Sequence, residues 1–382
     1  MGALARRVAI VGVGETRYVR RSGRPLTALM LEASRAALAD AGVEAAALDG
    51  LVLPGLDYAP LHEFARNLGV RRQFFAAESL HASTAVVGSM LIAAMAIDAG
   101  LATTVLCCRG VDWGSERRGN VGQPHAEMRM KAQLEIPFGW YPQIVHFAGM
   151  ARRHMELYGT TEEQLGAVAV AFRKHAALGA NALMTEPLGL ERYLAEPYLA
   201  EPFRALDCCL VNDGAAAFVM TSAERARDLP HPAVVVLGVG QGISPDGEFS
   251  TLRSDYLRTA AVHAAPKAYA MAGIEPADVD FVELYDNFTA MVLQQLEDLG
   301  FCAEGESGPF VEDGRIEIGG ELPVNTAGGM LSQAFVFSAN LVVEAVRQLR
   351  GQCGARQVAD ARIGLVTGYT GAQYAAAVLG RV

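Results

Sequence analysis

The chain has 382 residues, of which 51% are hydrophobic, carries a net charge of -10 and contains six cysteines. That length and apolar content support a large buried core, in two domains or one composite one. The dispersed lysines and arginines form no basic stripe, which argues against nucleic acid and anionic membranes and favours a small-molecule ligand.

The N-terminus enters strand-like sequence at once, "RRVAIVGVGETRY", with no leader pattern, and points to a cytoplasmic protein. Residues 27 to 42 then read as a helix ending at Gly42. Gly12-Val13-Gly14 after a strand lacks the third glycine of a dinucleotide fingerprint. The segment "ESLHASTAVVGSMLIAAMAIDAG", residues 78 to 100, is an apolar helix whose start is crowded with small hydroxyl residues and His81, as though that end faced a reaction. Its apolar run is broken by Asp98 and Gly100, well short of the roughly 20 residues a membrane span requires. "TTVLCCRG" follows as a strand, so the alternation is that of an α/β protein.

Residues 115 to 205 differ in character. Tyr158-Gly159 closes one amphipathic helix, and Thr160 or Thr161 caps the next with Glu163 placed for a capping box. His125, His146, His154 and His175 are scattered along this stretch and read as core or solvated residues, not ligands. No cysteine pair has metal-site spacing, so no metal is expected and the thiols read as reduced and mostly buried. Asp207 and Asp213 in "LDCCLVNDGAAA" read as closing a turn ahead of a strand.

The second half repeats the first. Gly238 and Gly240 in "VVVLGVGQGI" match Gly12 and Gly14, and "ALADAGVEAAALDGLVL" (37 to 53) matches "AYAMAGIEPADVDFVEL" (268 to 284) at eight identical positions. "SQAFVFSANLVVEAVRQLRG" stands where the hydroxyl-capped helix stood in the first half. Two like-folded halves follow, residues 1–230, including the helical insertion, and 231–382.

This repeat, with "VAIVGVGETRY", "MELYGTTEEQLGAVAVAFRKHAALGANAL", "LDCCLVNDGAAAFVMTSAERARDL", "VELYDNFT" and "LPVNTAGGMLS", resembles the thiolase superfamily, in its sterol carrier protein x branch and most of all the thiolase-fold aldolases that shorten steroid side chains. The resemblance implies a five-layered α/β/α/β/α sandwich. It also implies a homodimer, and a small zinc-ribbon/OB-fold subunit that binds acyl-CoA beside it. Thiolases place a nucleophilic cysteine at the start of the first buried helix, where N–H groups and the helix dipole stabilise a thiolate. Here that position falls on Ala82 or Ser83, the thiolase histidine corresponds to Phe335, and the second cysteine falls near Tyr369. Ser83 and Thr84 then read as helix caps.

What remains of the reactive set is Tyr285, at the position that is a catalytic tyrosine in the steroid aldolases. The implied reaction is retro-aldol cleavage of a bulky β-hydroxyacyl-CoA, with coenzyme A entering as part of the substrate and no covalently bound cofactor. It needs a proton acceptor and donors for an enolate, but no thiol. Tyr369 and His81 are the candidates to stand in for the second aldolase tyrosine, which is Phe335 here. Ser83, Asn325, Gly328 and Gly329 are the candidate donors, and Arg253 or Arg258 a candidate phosphate contact. The lost nucleophile leaves two alternatives open, a catalytically silent acyl-CoA-binding or scaffolding subunit and an atypical thiolase acting on a β-ketoacyl-CoA.

Overall fold

The computed structural model describes residues 5–54, 60–79, 84–116, 133–140, 143–244 and 256–381. Its first half contains strands β1 (Val8–Glu15), β2 (Gly50–Pro54), β3 (Phe75–Ser79), β4 (Thr104–Asp112) and β7 (Asp213–Ser222); β5 (Tyr198–Ala200) and β6 (Phe203–Arg204) form a separate small hairpin. The second half contains β8 (Val234–Ile243), β9 (Phe281–Glu283), β10 (Ile363–Thr370) and β11 (Gln373–Arg381). The principal helices are α1 (Leu26–Ala41), α2 (Leu61–Leu68), α3 (Thr84–Asp98), α4 (Gln143–Tyr158), α5 (Glu162–Ala177), α6 (Ala261–Ala272), α7 (Thr289–Asp298) and α8 (Ala339–Arg350).

The strand order is β3-β2-β4-β7-β1-β8-β11-β10-β9. Read outward from its middle, each half repeats the other: β1 with β8, β7 with β11, β4 with β10, β2 with β9. The counterpart of β3 is reduced to one parallel bridge, Val282 with Val324. The half-sheets meet where Ala9 pairs with Val235 and Ile10 with Val234, and the N–H of Arg6 donates to the carbonyl of Val236. Helix α1 covers β1, β4 and β7 on one outer face, and α6 covers β8 and β11 on the other. Helices α3 and α8 lie between, each packed on strands of both halves, which completes five layers.

The recurring residues have mechanical reasons. A Cβ on Gly12 would stand 2.2 Å from the carbonyl oxygen of Ala37, and one on Gly238 would stand 2.1 Å from that of Ala268, so only glycine lets these strands lie so close to α1 and α6. Asp49 accepts hydrogen bonds from the N–H groups of Thr103 and Thr104 ahead of β4. Its repeat, Asp280, accepts from those of Arg362 and Ile363 ahead of β10.

In the insertion, Thr161 caps α5 by accepting from the N–H of Gln164, and the Gln164 amide accepts from the N–H of Thr161. The capping box is therefore completed by Gln164, not Glu163, because the cap sits one residue later than Thr160. Helix α5 packs on a buried π-helical turn, Gly329–Gln333, and on α7, tying the insertion to the second half. Among the described residues no helix is long and apolar enough to cross a membrane.

Candidate active site

The site is built on the extended chain between β9 and α7, which carries "YDNFT". Residues on both sides of Tyr285 clip this chain to the loop 325–331. Glu283 accepts from the N–H and the hydroxyl of Thr326, at 3.0 and 2.8 Å. Asn325, at φ 50°, accepts from the N–H of Leu284 at 2.6 Å and donates to its carbonyl at 2.9 Å. Asp286 accepts from the N–H groups of Met330 and Leu331 at 2.8 to 3.0 Å, at the start of the π-helical turn. Burial pushes the Asp286 carboxyl up to about 8, while those N–H donors pull the other way. Gly329 is required here: its φ is +57°, and a Cβ would lie 2.3 Å from an Asp286 oxygen.

The main chain of Tyr285 is held on both sides. Its N–H donates to the hydroxyl of Thr367 at 2.9 Å, and its carbonyl accepts from the amide of Gln295 at 2.8 Å. The Gln295 oxygen in turn accepts from Thr367 and from the hydroxyl of Tyr374. The ring of Tyr285 is buried in an aromatic group, 6.3 Å from that of Tyr369 and 6.5 Å from that of Phe335. Trp113 stacks on Phe335 at 4.8 Å, and Phe147 meets Tyr369 and Phe288 from the insertion side. Asn212 holds the main chain of Phe335 from both sides, at 2.8 and 3.2 Å.

Of the residues singled out from sequence, Tyr285, Tyr369 and Phe335 therefore come together, with the loop of Asn325, Gly328 and Gly329 immediately behind them. The Asn325 amide is committed to Leu284, so its part in the described structure is to hold the tyrosine segment. His81, Ser83 and Arg253 lie outside the described residues. Thr84, the first described residue of α3, sends its hydroxyl to the Gln373 side chain at 3.2 Å, which joins the start of that helix to the β10–β11 hairpin carrying Tyr369 and Tyr374. Arg258, the other candidate phosphate contact, is bonded to Asp298 and Glu304 in the described structure. Asp213 opens β7 and accepts from Ser22 and Ser115. Asp207 is buried under Tyr193 and Thr289.

The thiols offer no alternative nucleophile. Burial raises Cys107, Cys108, Cys208 and Cys302 to about 12, and Cys209 and Cys353 are raised as well, so none of the six is a thiolate near neutral pH. His175 is fixed in one neutral tautomer: one ring nitrogen accepts from the N–H of Ile318, leaving the other to donate to the Asn325 carbonyl. Burial also lowers its pKa. His154 bridges Thr160 and Glu297, and among the described residues no group of His, Cys, Asp and Glu is placed to hold a metal.

The supporting residues Glu283, Asp286, Gln295, Thr367 and Asn212 escaped sequence reading. The one available signal was polar side chains inside apolar elements, as in "MVLQQLED" and "IGLVTGYT".

Known proteins resemble this chain along its whole length. A steroid side-chain-cleaving aldolase of Thermomonospora curvata is 39% identical over 100% of this chain and 99% of its own length. The chain belongs to the thiolase superfamily. Its thiolase C-terminal domain-like region spans residues 243–381. A second superfamily relative, the 17-hydroxy-3-oxo-4-pregnene-20-carboxyl-CoA lyase of Mycobacterium tuberculosis, is 38% identical over 99% of this chain and 100% of its own. The solved structure of the Ltp2-ChsH2(DUF35) aldolase superposes with a TM-score of 0.93 at 39% identity, covering 100% of this chain and 99% of that one.

Proposed function

We infer that this thiolase-fold chain is a carbon–carbon lyase that cleaves a bulky β-hydroxyacyl-CoA by a retro-aldol reaction. The observation that carries the reading is the pairing of Tyr285 with Tyr369 inside one aromatic group, in a chain whose three thiolase reactive positions hold no cysteine or histidine. A reaction without a covalent intermediate needs one group to accept the β-hydroxyl proton. As the bond between the α and β carbons breaks, the β carbon becomes a ketone or aldehyde carbonyl and the bonding pair enters the thioester as an enolate. Protonation at the α carbon then releases a shorter acyl-CoA. Tyr285 is the proton acceptor in this reading, which requires its pKa to fall from an ordinary value of about 10.

Tyr369, from the facing hairpin, or His81 takes the part of the second aldolase tyrosine that Phe335 cannot play. Full activity in both Tyr369→Phe and His81→Ala would exclude that assignment. The main chain around Ala82–Thr84 and Asn325–Gly329 supplies enolate donors, Phe335 lines the acyl pocket, and Arg253 meets a CoA phosphate. No covalently bound cofactor enters, coenzyme A arriving as part of the substrate. The halves divide near residue 230, two copies pair, and a small zinc-ribbon/OB-fold acyl-CoA-binding subunit completes the pocket in the cytoplasm. Support for the last partner comes from the two-protein name of the Ltp2-ChsH2(DUF35) aldolase.

The test is co-expression with the candidate small subunit and incubation with a steroid β-hydroxyacyl-CoA, following short acyl-CoA by chromatography. Release in the wild type and none in Tyr285→Phe is the expected result. Retained acyl-CoA binding with no release across a panel of such substrates would instead favour the silent-subunit reading.

A further inference from the structure

Four arginines are buried among the described residues: Arg109, Arg173, Arg204 and Arg350. Arg204 bonds the Glu162 carboxylate and Arg350 bonds that of Asp40, as a guanidinium removed from water must. Arg109 lies over the ring of Phe337 at 4.1 Å. Arg173 is only 4% exposed, yet no carboxylate of the described residues lies within ion-pair distance of it. Its Nε donates to the Ser332 hydroxyl at 3.1 Å and its Nη1 to the carbonyl of Glu186 at 3.1 Å. Its Nη2 has no partner among the described residues.

Two further cations stand beside it with no counter-ion among the described residues. Exposed Arg20 reaches over the same loop, with Nη2 2.8 Å from the Met184 sulfur and Nη1 3.4 Å from the Val211 carbonyl. The N–H of Met184 donates to the carbonyl of Ser332, so Arg20 and Arg173 converge on one short stretch of chain. Arg192 is exposed on the next short helix, Leu190–Ala195. That helix packs on α5, which carries Arg173. Burial lowers the pKa of Arg173, and the charges of Arg192 and Arg20 lower it further, so each of the two lies within electrostatic reach of Arg173. Like charges gathered around one guanidinium favour an anion that joins them.

We propose that Arg173, Arg20 and Arg192 form an oxyanion site that takes a carboxylate or phosphate group. A planar guanidinium fork suits both groups. The site lies at the outer side of the segment that presents Phe335 to Tyr285. Val211 precedes Asn212, which holds Phe335, and Ser332 stands three residues before Phe335 in the π-helical turn. An anion seated there is tied through Arg173 and Ser332 to the wall of the candidate active site. Only the two sources considered for the anion rest on the lyase reading: a phosphate of coenzyme A, or an acidic side chain of the second subunit.

The test is thermal unfolding of the full chain titrated with inorganic phosphate, against chloride at equal ionic strength, for wild type and for Arg20→Gln/Arg192→Gln. Both substituted residues are exposed, and Arg20→Gln alone serves if the pair reduces folding. Phosphate stabilises the wild type saturably, and the double variant binds it at least about tenfold more weakly, the scale of one charge-assisted hydrogen bond. Coenzyme A then separates the sources: a matching loss of CoA affinity assigns the site to its phosphate, and unchanged CoA affinity excludes that source and leaves the acidic side chain. Phosphate no more stabilising than chloride, or equal phosphate affinity in the variant, overturns the proposal. Because binding alone is read, absence of lyase activity would count against the proposed function without touching this site.

Discussion

The two central helices occupy equivalent places in the two halves and are held in different ways. Helix α3 is apolar along most of its length, and its described polar side-chain contacts are few: Ser89 to the Val86 carbonyl, Thr84 to Gln373, and an ion pair between Asp98 at its end and Arg7. Helix α8 is laced with buried charge. Glu344 accepts from Arg356 and lies 3.0 Å from the Thr326 hydroxyl, while Arg347 and Arg350 reach Glu15 and Asp40 in the first half. One helix is therefore seated by its shape, the other by bonds of fixed direction. Directional bonds gather where residues must be aimed, since Glu344, Thr326 and Glu283 form one chain of contacts beside Tyr285.

The comparison breaks first where the halves are most alike. Gly14→Ala and Gly240→Ala place a Cβ 2.3 Å from the Ala37 nitrogen and 1.8 Å from the Ala264 oxygen. Each is expected to lose at least about 3 kcal/mol in chemical denaturation, and a loss confined to one half would refute their equivalence. Next in size is the contrast between the helices. Glu344→Ala strands Arg356 and is expected to cost about 3 to 5 kcal/mol, whereas Ser89→Ala on α3 costs about 1 kcal/mol or less. Equal costs would show that the polar ties of α8 are not what fix it.

A pH titration of stability sharpens the account of the second half. Burial raises Asp298 to about 6, above the ordinary value of about 4, so the native state keeps this proton longer than the unfolded chain does. The contribution is complete below pH about 4 and falls as pH rises to about 6, by about 2 to 3 kcal/mol. Asp298→Asn should reduce the slope in that window and leave the share of Asp286, whose raised carboxyl titrates across the same range. An unchanged slope would place the titration elsewhere. The smallest effect is local: Thr161→Ala removes the α5 cap, costs about 1 kcal/mol in thermal unfolding and leaves any lyase activity unchanged.

Much of this architecture was legible in the sequence, because a fold built twice writes its constraints twice. Gly12 and Gly238, or Asp49 and Asp280, recur for the same contacts in each half. The aromatic group was legible only through Tyr285, Tyr369 and Phe335, which occupy known positions of a known superfamily. The clips were not legible, since Asp286, Gln295 and Thr367 act on main-chain groups far away in sequence, and no local pattern announces such a bond. The capping box falls to Gln164 and not to Glu163 for a related reason: it depends on which threonine turns extended, and Thr160-Thr161 permits either.

The central claim is that Tyr285 does chemistry inside a frame built by its neighbours. The most direct measurement is short acyl-CoA release from a steroid β-hydroxyacyl-CoA by wild type and Tyr285→Phe, each with the small subunit and each checked for thermal stability. The account predicts release from the wild type, a loss of at least about a hundredfold in the variant, the lower range for a positioned acid or base, and nearly equal unfolding temperatures. Full release by a stably folded Tyr285→Phe would contradict it.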